Sequence, residues 1–290
     1  MSDIIATPSK TKEILEKYNL YAKKNFGQNF LVESSIVEKI ARNAMSEKKC
    51  TVFEIGPGIG ALTQFLSRYA EHVVSFEIDE RLLPVLKDTL SDCNNVEIIH
   101  QDFLTIDLKR YVEKYKREDN DIVIAANLPY YITTPILFKI FESESDIKQI
   151  TVMMQKEVAD RFSAQVNTKD YNALSVITQY RCEVKTIMKI SRHVFNPKPN
   201  VDSAVVQFVF HDRKSLPNES DFFELVKACF KQRRKTMLNN YGAFVKEKEL
   251  AKRNLEKAGI QENARAESLS LATFLKLYEV TYENQCQCEN

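Results

Sequence analysis

CTVFEIGPGIGALTQFLSRYA, residues 50–70, decides the fold. It opens on an apolar, β-rich run, CTVFEIG, passes through a turn with glycines at 56, 58 and 60, and continues into the amphipathic GALTQFLSRYA. Strand, glycine turn and helix in that order start an α/β unit. Gly56, Gly58 and Gly60 permit positive φ and let a ligand approach the backbone. The spacing G-P-G-x-G is neither the dinucleotide fingerprint G-x-G-x-x-G nor a phosphate cradle, since no G-K-[ST] follows. Pro57 stiffens the turn. Such a turn occurs in many α/β folds, so its neighbours must say what it holds.

Outward from it the alternation repeats. HVVSFEID is a second strand, ERLLPVLKDTL its helix, with Pro84 in the tolerated first turns. VEIIHQDFL is a third strand, DIVIAANL a fourth, TPILFKIFE a helix and KQITVMMQK a fifth strand. Alternating strands and helices mean right-handed crossovers and a parallel sheet covered on both faces. EVKTIMKI and SAVVQFVFH form a later hairpin around SRHVFNPKPNVD, an antiparallel edge on that sheet. Beyond Arg213 a polar linker, RKSLPNES, gives way to helical stripes in FFELVKACF, KELAKRNLEKAG and SLATFLKLYEV. The expected division is 1–212 for the sheet domain and 213–290 for a small all-helical domain.

Composition bounds the class. Of the 290 residues 44% are hydrophobic and 28% charged, as in ordinary soluble domains, and no apolar run reaches the roughly 20 residues of a bilayer span. The first residues lack a basic-then-apolar secretory layout, so a cytoplasmic protein without a membrane partner is expected. The six cysteines are scattered, none at metal-ligand spacing with the four histidines, so reduced thiols and no metal are expected. With a net charge of +1, any nucleic-acid role must rest on a local basic patch.

Three strand ends supply a nucleoside site. Glu77, about 20 residues past the glycines, stands where an acid takes both hydroxyls of a ribose. Asp79 and Glu80 beside it are expected to be exposed helix-start acids. Asp102, after the third strand, can accept from an adenine amine, with Phe103 covering the ring. These converge on the edge where open α/β sheets bind ligands. A nucleoside cofactor lacking a pyrophosphate, S-adenosylmethionine, fits this set best.

The fourth strand ends in Asn127-Leu128-Pro129-Tyr130, of the [DN]-P-P-Y-like form of amino-methylating enzymes. The exocyclic amine of adenine is a poor nucleophile because its lone pair is delocalised into the ring. The Asn127 amide oxygen and a carbonyl at Leu128 or Pro129 can accept its two N–H groups and orient the nitrogen. Tyr130 can stack on the base, a contact worth roughly 1–3 kcal/mol.

At this point the chain resembles the KsgA family of ribosomal RNA adenine dimethyltransferases. The motifs KKNFGQNFL, EIGPGIGALT, FEID, QDFL, NLPYYITTPILF, QKEVADR, FNPKPNVDS and FKQRRKTMLNN carry the likeness nearly end to end. It implies a Rossmann-like S-adenosylmethionine-dependent methyltransferase sheet with a small all-helical C-terminal domain. It implies further that Gln28, Asn29 and Leu31 join Gly56, Gly58, Glu77, Ile78, Asp102, Phe103 and Asn127 around S-adenosylmethionine. The implied substrate is two neighbouring adenosines near the 3′ end of small-subunit ribosomal RNA, each dimethylated at N6, within the pre-ribosomal small subunit. Unaided, KKNFGQNFL reads as a helix lead-in with Ser34 or Ser35 as cap, and FNPKPNVDS as a rigid loop able to hold Phe195 against the target base.

Between Leu225 and Lys246 lie six basic residues and no acidic one. Lys231, Arg233, Arg234 and Lys235, beside Phe230, Met237 and Leu238, read as a phosphate-contacting face for RNA. The expected reaction is in-line methyl transfer to adenine N6 by a monomer, with positioning and electrostatics supplying the acceleration. An Erm-type enzyme of large-subunit RNA shares the glycine turn and asparagine motif. YYITTPIL, FKQRRKTMLNN and the length of the C-terminal region favour the KsgA side. A non-catalytic assembly factor on the same fold would be marked by degraded motif residues, and none is degraded.

Overall fold

The computed structural model of the chain describes residues 3–20, 29–143, 145–211 and 216–286. They fall into two compact units, Met1–Ala159 with Val184–Phe210, and Asp160–Glu183 with His211–Asn290.

The first unit holds the sheet. In chain order it contains α1 (Pro8–Lys17), β1 (Phe30–Leu31), α2 (Ser34–Ala44), β2 (Lys49–Ile55), α3 (Ala61–Tyr69), β3 (His72–Glu77), α4 (Leu83–Thr89) and β4 (Val96–His100). Next come α5 (Leu108–Tyr115), β5 (Asn120–Asn127), α6 (Thr133–Glu142), β6 (Gln149–Gln155) and α7 (Lys156–Phe162), the last crossing the division. After α8 (Ala173–Arg181), which lies in the second unit, come β7 (Cys182–Ile190), β8 (Phe195–Asn196) and β9 (Ser203–Phe210). Strand order is β4-β3-β2-β5-β6-β9-β7, with β2 through β6 parallel and β9 antiparallel to β6. The five expected parallel strands are all present, and β9 supplies the antiparallel addition.

Alternation along each strand explains why the sheet is covered twice. Val52, Val73, Val123, Ala125 and Met153 face α2 and α3 in one buried cluster. Phe53 and Phe76, one position out of phase, meet the rings of Tyr115 and Tyr111 from α5. Phe141 of α6 meets Phe208 of β9. Each fully buried side chain of this kind contributes roughly 1.5–3 kcal/mol. Ile122 to Ala126 are all 0% exposed, so β5 reads as an unbroken apolar run, the mark of a strand buried on both faces.

Two local expectations are corrected. The cap of α2 is Glu33, whose carboxylate accepts from the Ser35 amide and hydroxyl, and not either serine. Asp79 is buried at 7% exposure because Arg81 folds back onto it, Nε 2.8 Å from Oδ1, while Glu80 is exposed as expected.

The second unit is helical: α8, α9 (Glu219–Cys229), α10 (Met237–Val245), α11 (Lys248–Lys257) and α12 (Leu271–Cys286). Its division from the first unit differs from the single boundary expected near Arg213. Residues 160–183 join it because their polar and aromatic groups find partners there. The Tyr180 hydroxyl reaches Glu219 at 2.8 Å, the buried Arg181 guanidinium reaches the same carboxylate at 2.8 Å, and the Tyr171 hydroxyl donates to the Leu269 carbonyl at 2.9 Å.

Candidate active site

Chain order creates a crevice in the first unit. From β2 the chain winds outward through β3 and β4, then returns to lay β5 against the other side of β2. This reversal point is where open α/β sheets bind ligands. The register Ile55↔Ala126 sets the glycine turn after β2 beside Asn127 at the end of β5. A cleft of about 1320 Å³, counting the space open to solvent at its mouth, lies there.

The glycines do two different things. Gly56, at φ +68°, faces open space: a Cβ there would meet nothing within 4 Å. Gly60, at φ +91°, caps α3, and a Cβ there would press on Leu90 and Thr89 at 3.1 Å. The first leaves a ligand room, and the second lets the turn pack against α4.

Glu77 ends β3 almost fully buried, at 4% exposure. Its carboxylate accepts from the Asp79 amide at 2.8 Å and the Gly58 amide at 3.3 Å, which ties the acid to the glycine turn. Burial raises its pKa above the usual carboxylate range, and these backbone donors pull the other way. Asp102 lies two residues past β4 and accepts from the Leu104 amide at 2.8 Å. Phe103 is buried edge-on against Phe76, ring centroids 5.5 Å apart. Ile78 stands 53% exposed on the cleft wall.

Asn127, half-buried, is followed by the buried Leu128, then Pro129 and Tyr130, all lining the cleft. The Asn127 side chain makes no hydrogen bond among the described residues, so its amide is not pre-oriented by a protein partner there. The Tyr130 hydroxyl lies 2.9 Å from Ser203 Oγ. Asn29, Leu31 and Phe195 reach the cleft from distant sequence because β1 and β8 pair antiparallel, with Leu31 opposite Phe195. Gln28 lies outside the described residues, as does most of KKNFGQNFL.

The described structure thus brings together every expected cofactor and catalytic residue except Gln28. Sequence reasoning did not assign Phe30, Pro57, Asp79, Gln101, Tyr131 and Ile132 to the site, though they also line the cleft. All but Ile132 adjoin a residue already singled out, so adjacency was the available signal for them.

The donor set fits S-adenosylmethionine. Glu77, Asp79 and Asp102 line the cleft, and no Lys, Arg or His does among the described residues. An acidic lining without a base among the described residues suits a cationic nucleoside and opposes a pyrophosphate. The open space over Gly56 and the exposed Ile78 leave room and an apolar surface for it.

In the second unit Lys231, Arg233, Arg234 and Lys235 are all exposed, in the turn between α9 and α10 and not on a helix. Asn240 braces that turn, donating to the Cys229 and Gln232 carbonyls at 2.8 and 3.0 Å. Arg233 pairs with Glu267 at 3.1 Å. The missing acid is therefore supplied from elsewhere in the chain for one of the four cations.

A sequence model described as ribosomal RNA adenine dimethylase matches residues 19–283. The chain is 46% identical to a ribosomal RNA small subunit methyltransferase A of Oceanobacillus iheyensis, across 97% of each. Among solved structures it resembles a dimethyladenosine transferase from Plasmodium falciparum, at 26% identity and TM-score 0.71, covering 88% of this chain and 97% of that one. It also resembles the 23S rRNA methyltransferase ErmE, at 27% identity and TM-score 0.64, covering 87% and 99%.

Proposed function

Because the chain belongs to the ribosomal RNA adenine dimethylase family, we propose that it dimethylates N6 of two adjacent adenosines near the 3′ end of small-subunit (16S) ribosomal RNA. It is an S-adenosylmethionine-dependent RNA methyltransferase on a Rossmann-like sheet. The observation that carries the reading is Asn127 at the end of β5, set by register beside the glycine turn in a cleft whose described lining is acidic.

When bound, S-adenosylmethionine supplies an electrophilic methyl group on a sulfonium. Glu77 accepts from its ribose hydroxyls, Asp102 accepts from its adenine amine, and Phe103 and Ile78 cover the ring. Gly56 and Gly58 admit it to the backbone, with Asn29 and Leu31 closing over it. Asn127 and the Leu128 or Pro129 carbonyl accept the two hydrogens of the target amine, so that its lone pair is turned toward the methyl carbon. Tyr130 stacks on the target base and Phe195 supports it from the β8 side. No strong base is required, because the alkylated amine is acidic and gives its proton to water. Placing these acceptors at the reacting nitrogen, at the end of β5, supplies the rate.

The helical unit presents Lys231, Arg234 and Lys235, with Arg233 shared with Glu267, to RNA phosphates. Such contacts set register and not sequence. The enzyme acts as a monomer in the cytoplasm on the pre-ribosomal small subunit. No described helix is long and apolar enough to cross a membrane.

An Erm-type activity on large-subunit RNA is the competing reading. Relatives at 46–48% identity over nearly the full chain that are named for the small subunit favour that reading. Intact Glu77, Asp102 and Asn127 favour catalysis over a purely architectural role in assembly. The test is methylation of small and large subunits from cells lacking the enzyme, followed by mass spectrometry of the RNA. Monomethyladenosine should rise and fall as N6,N6-dimethyladenosine accumulates in small-subunit RNA. Methylation confined to large subunits, or a monomethyl end product with excess cofactor, overturns the proposal.

A further inference from the structure

Tyr130 and Ser203 are 73 positions apart, and their hydroxyl oxygens lie 2.9 Å from one another. The sheet register brings them together. Asn127 sits opposite Met153 of β6, and β6 pairs with β9 so that Gln155 faces Ser203. The residues after Asn127 carry the chain over the end of β6, and the Tyr130 hydroxyl arrives at the first residue of β9.

The two partners differ in exposure. Tyr130 lines the cleft and is half-buried, whereas Ser203 is 0% exposed and does not line it. The place of Ser203 is fixed by its neighbours. The Asp202 carbonyl accepts from the Lys156 amide at 3.0 Å, and the Asp202 carboxylate accepts from the Arg192 amide at 3.0 Å. The Arg192 guanidinium donates to the Asn200 carbonyl at 2.7 Å. The loop carrying FNPKPNVDS therefore ends on a braced hydroxyl inside the protein.

A tyrosine ring swings about two side-chain torsions, and fixing its far end restrains both. Stacking on a base depends on the plane of that ring, and a functional group left without such support loses its productive geometry. Burial raises the pKa of the Tyr130 phenol, so the hydroxyl stays protonated and either partner can donate.

We propose that Ser203 is a positioning residue for methyl transfer: its hydrogen bond to the Tyr130 hydroxyl holds that ring in the plane that stacks on the target adenine. This rests on the reading of Tyr130 as the stacking residue. It also gives the FNPKPNVDS segment a task at its second end, since Phe195 at its first end already lines the cleft.

The test is a double-mutant cycle in single-turnover methyl transfer to small-subunit RNA at saturating S-adenosylmethionine. Ser203→Ala and Tyr130→Phe should each slow transfer about 5- to 10-fold, and the double variant should be no slower than the slower single one. Cofactor affinity measured by calorimetry should be unchanged in all three. Tyr130→Phe breaks the same bond from the other end, so the cycle does not depend on how well Ser203→Ala folds. A Ser203→Ala enzyme at the wild-type rate overturns the proposal. So does a serine substitution that slows the Tyr130→Phe background as much as it slows wild type, because its effect is then independent of the bond. Tyr130→Ala separates the two readings. If it transfers at the wild-type rate, the stacking role itself is removed; if it is slow while Ser203→Ala is fast, only the anchor is.

Discussion

Asn127 and Glu54 show how differently two side chains on adjacent strands can be used. Asn127 reaches the cleft with no protein partner for its amide among the described residues, which leaves that amide available to the target amine in the proposed reaction. Asn127→Ala should lower the single-turnover rate roughly 10²-fold or more at saturating cofactor, as loss of an electrostatic positioning group does. A variant within about threefold of wild type would leave the orientation to the backbone carbonyl. Glu54, in β2, is the opposite case: a carboxyl at 1% exposure, bonded to Ser75 Oγ at 2.7 Å, with Oε1 unpartnered and burial pushing its pKa up to about 7. Its native pKa lies above the unfolded value, so the folded state binds the extra proton between about 4.5 and about 7. Stability from this group is full below that window and falls as pH rises through it, by an amount on the order of 3 kcal/mol at most. Glu54→Gln should therefore gain on wild type as pH rises from 5 to 8 in paired denaturant titrations. Parallel curves for the two proteins would mean that Glu54 does not titrate in that window.

Elements set the site by where they stop. β2, β3 and β5 end at Ile55, Glu77 and Asn127, and parallel pairing aligns those ends. The segment after β4 has no ladder to hold it, and a lysine does so instead. Lys139 of α6 donates to the Leu104 and Ile106 carbonyls at 2.9 and 2.6 Å, tying the residues after Asp102 and Phe103 to the helix that follows the asparagine motif. Each such bond from a charged donor is worth about 1.5–3 kcal/mol. Lys139→Met should lower the melting temperature and weaken S-adenosylmethionine binding several-fold although the lysine does not line the cleft. Calorimetry giving wild-type affinity at lowered melting temperature would confine Lys139 to stability.

For the whole molecule the charge bookkeeping is local. A net charge of +1 gives no general attraction for RNA, so the proposed RNA contact is a local one, at the exposed turn from Lys231 to Lys235. Glu267 already neutralises part of Arg233. Reversing Lys231, Arg234 and Lys235 to glutamate should flatten the log–log salt dependence of RNA binding by roughly 0.7–0.9 per lost phosphate contact. Reversing Arg233 alone should flatten it less. Cofactor affinity should be unchanged in both, and slopes equal to wild type would mark the turn as a merely solvated surface.

The sequence by itself determined the parallel sheet, because strands buried on both faces must be apolar throughout and helices between them must carry a 3.6-residue stripe. It placed the candidate cofactor edge too, because Gly56, Glu77, Asp102 and Asn127 each stand at or just past a strand's end, and strand ends in a parallel sheet share one side. Tertiary structure alone decided what depends on pairing between distant segments. Leu31 meets Phe195 through two-residue strands too short for any periodicity. Residues 160–183 join the C-terminal helices because Arg181 and Tyr180 find Glu219 there. Asp79 is buried by Arg81 and Arg233 is matched by Glu267, partners that residue type does not announce. Ser203 reads as an ordinary strand start until the register across β6 sets its hydroxyl against Tyr130. A periodic pattern records what a residue needs around it; only the closed sheet decides which distant group arrives to meet that need.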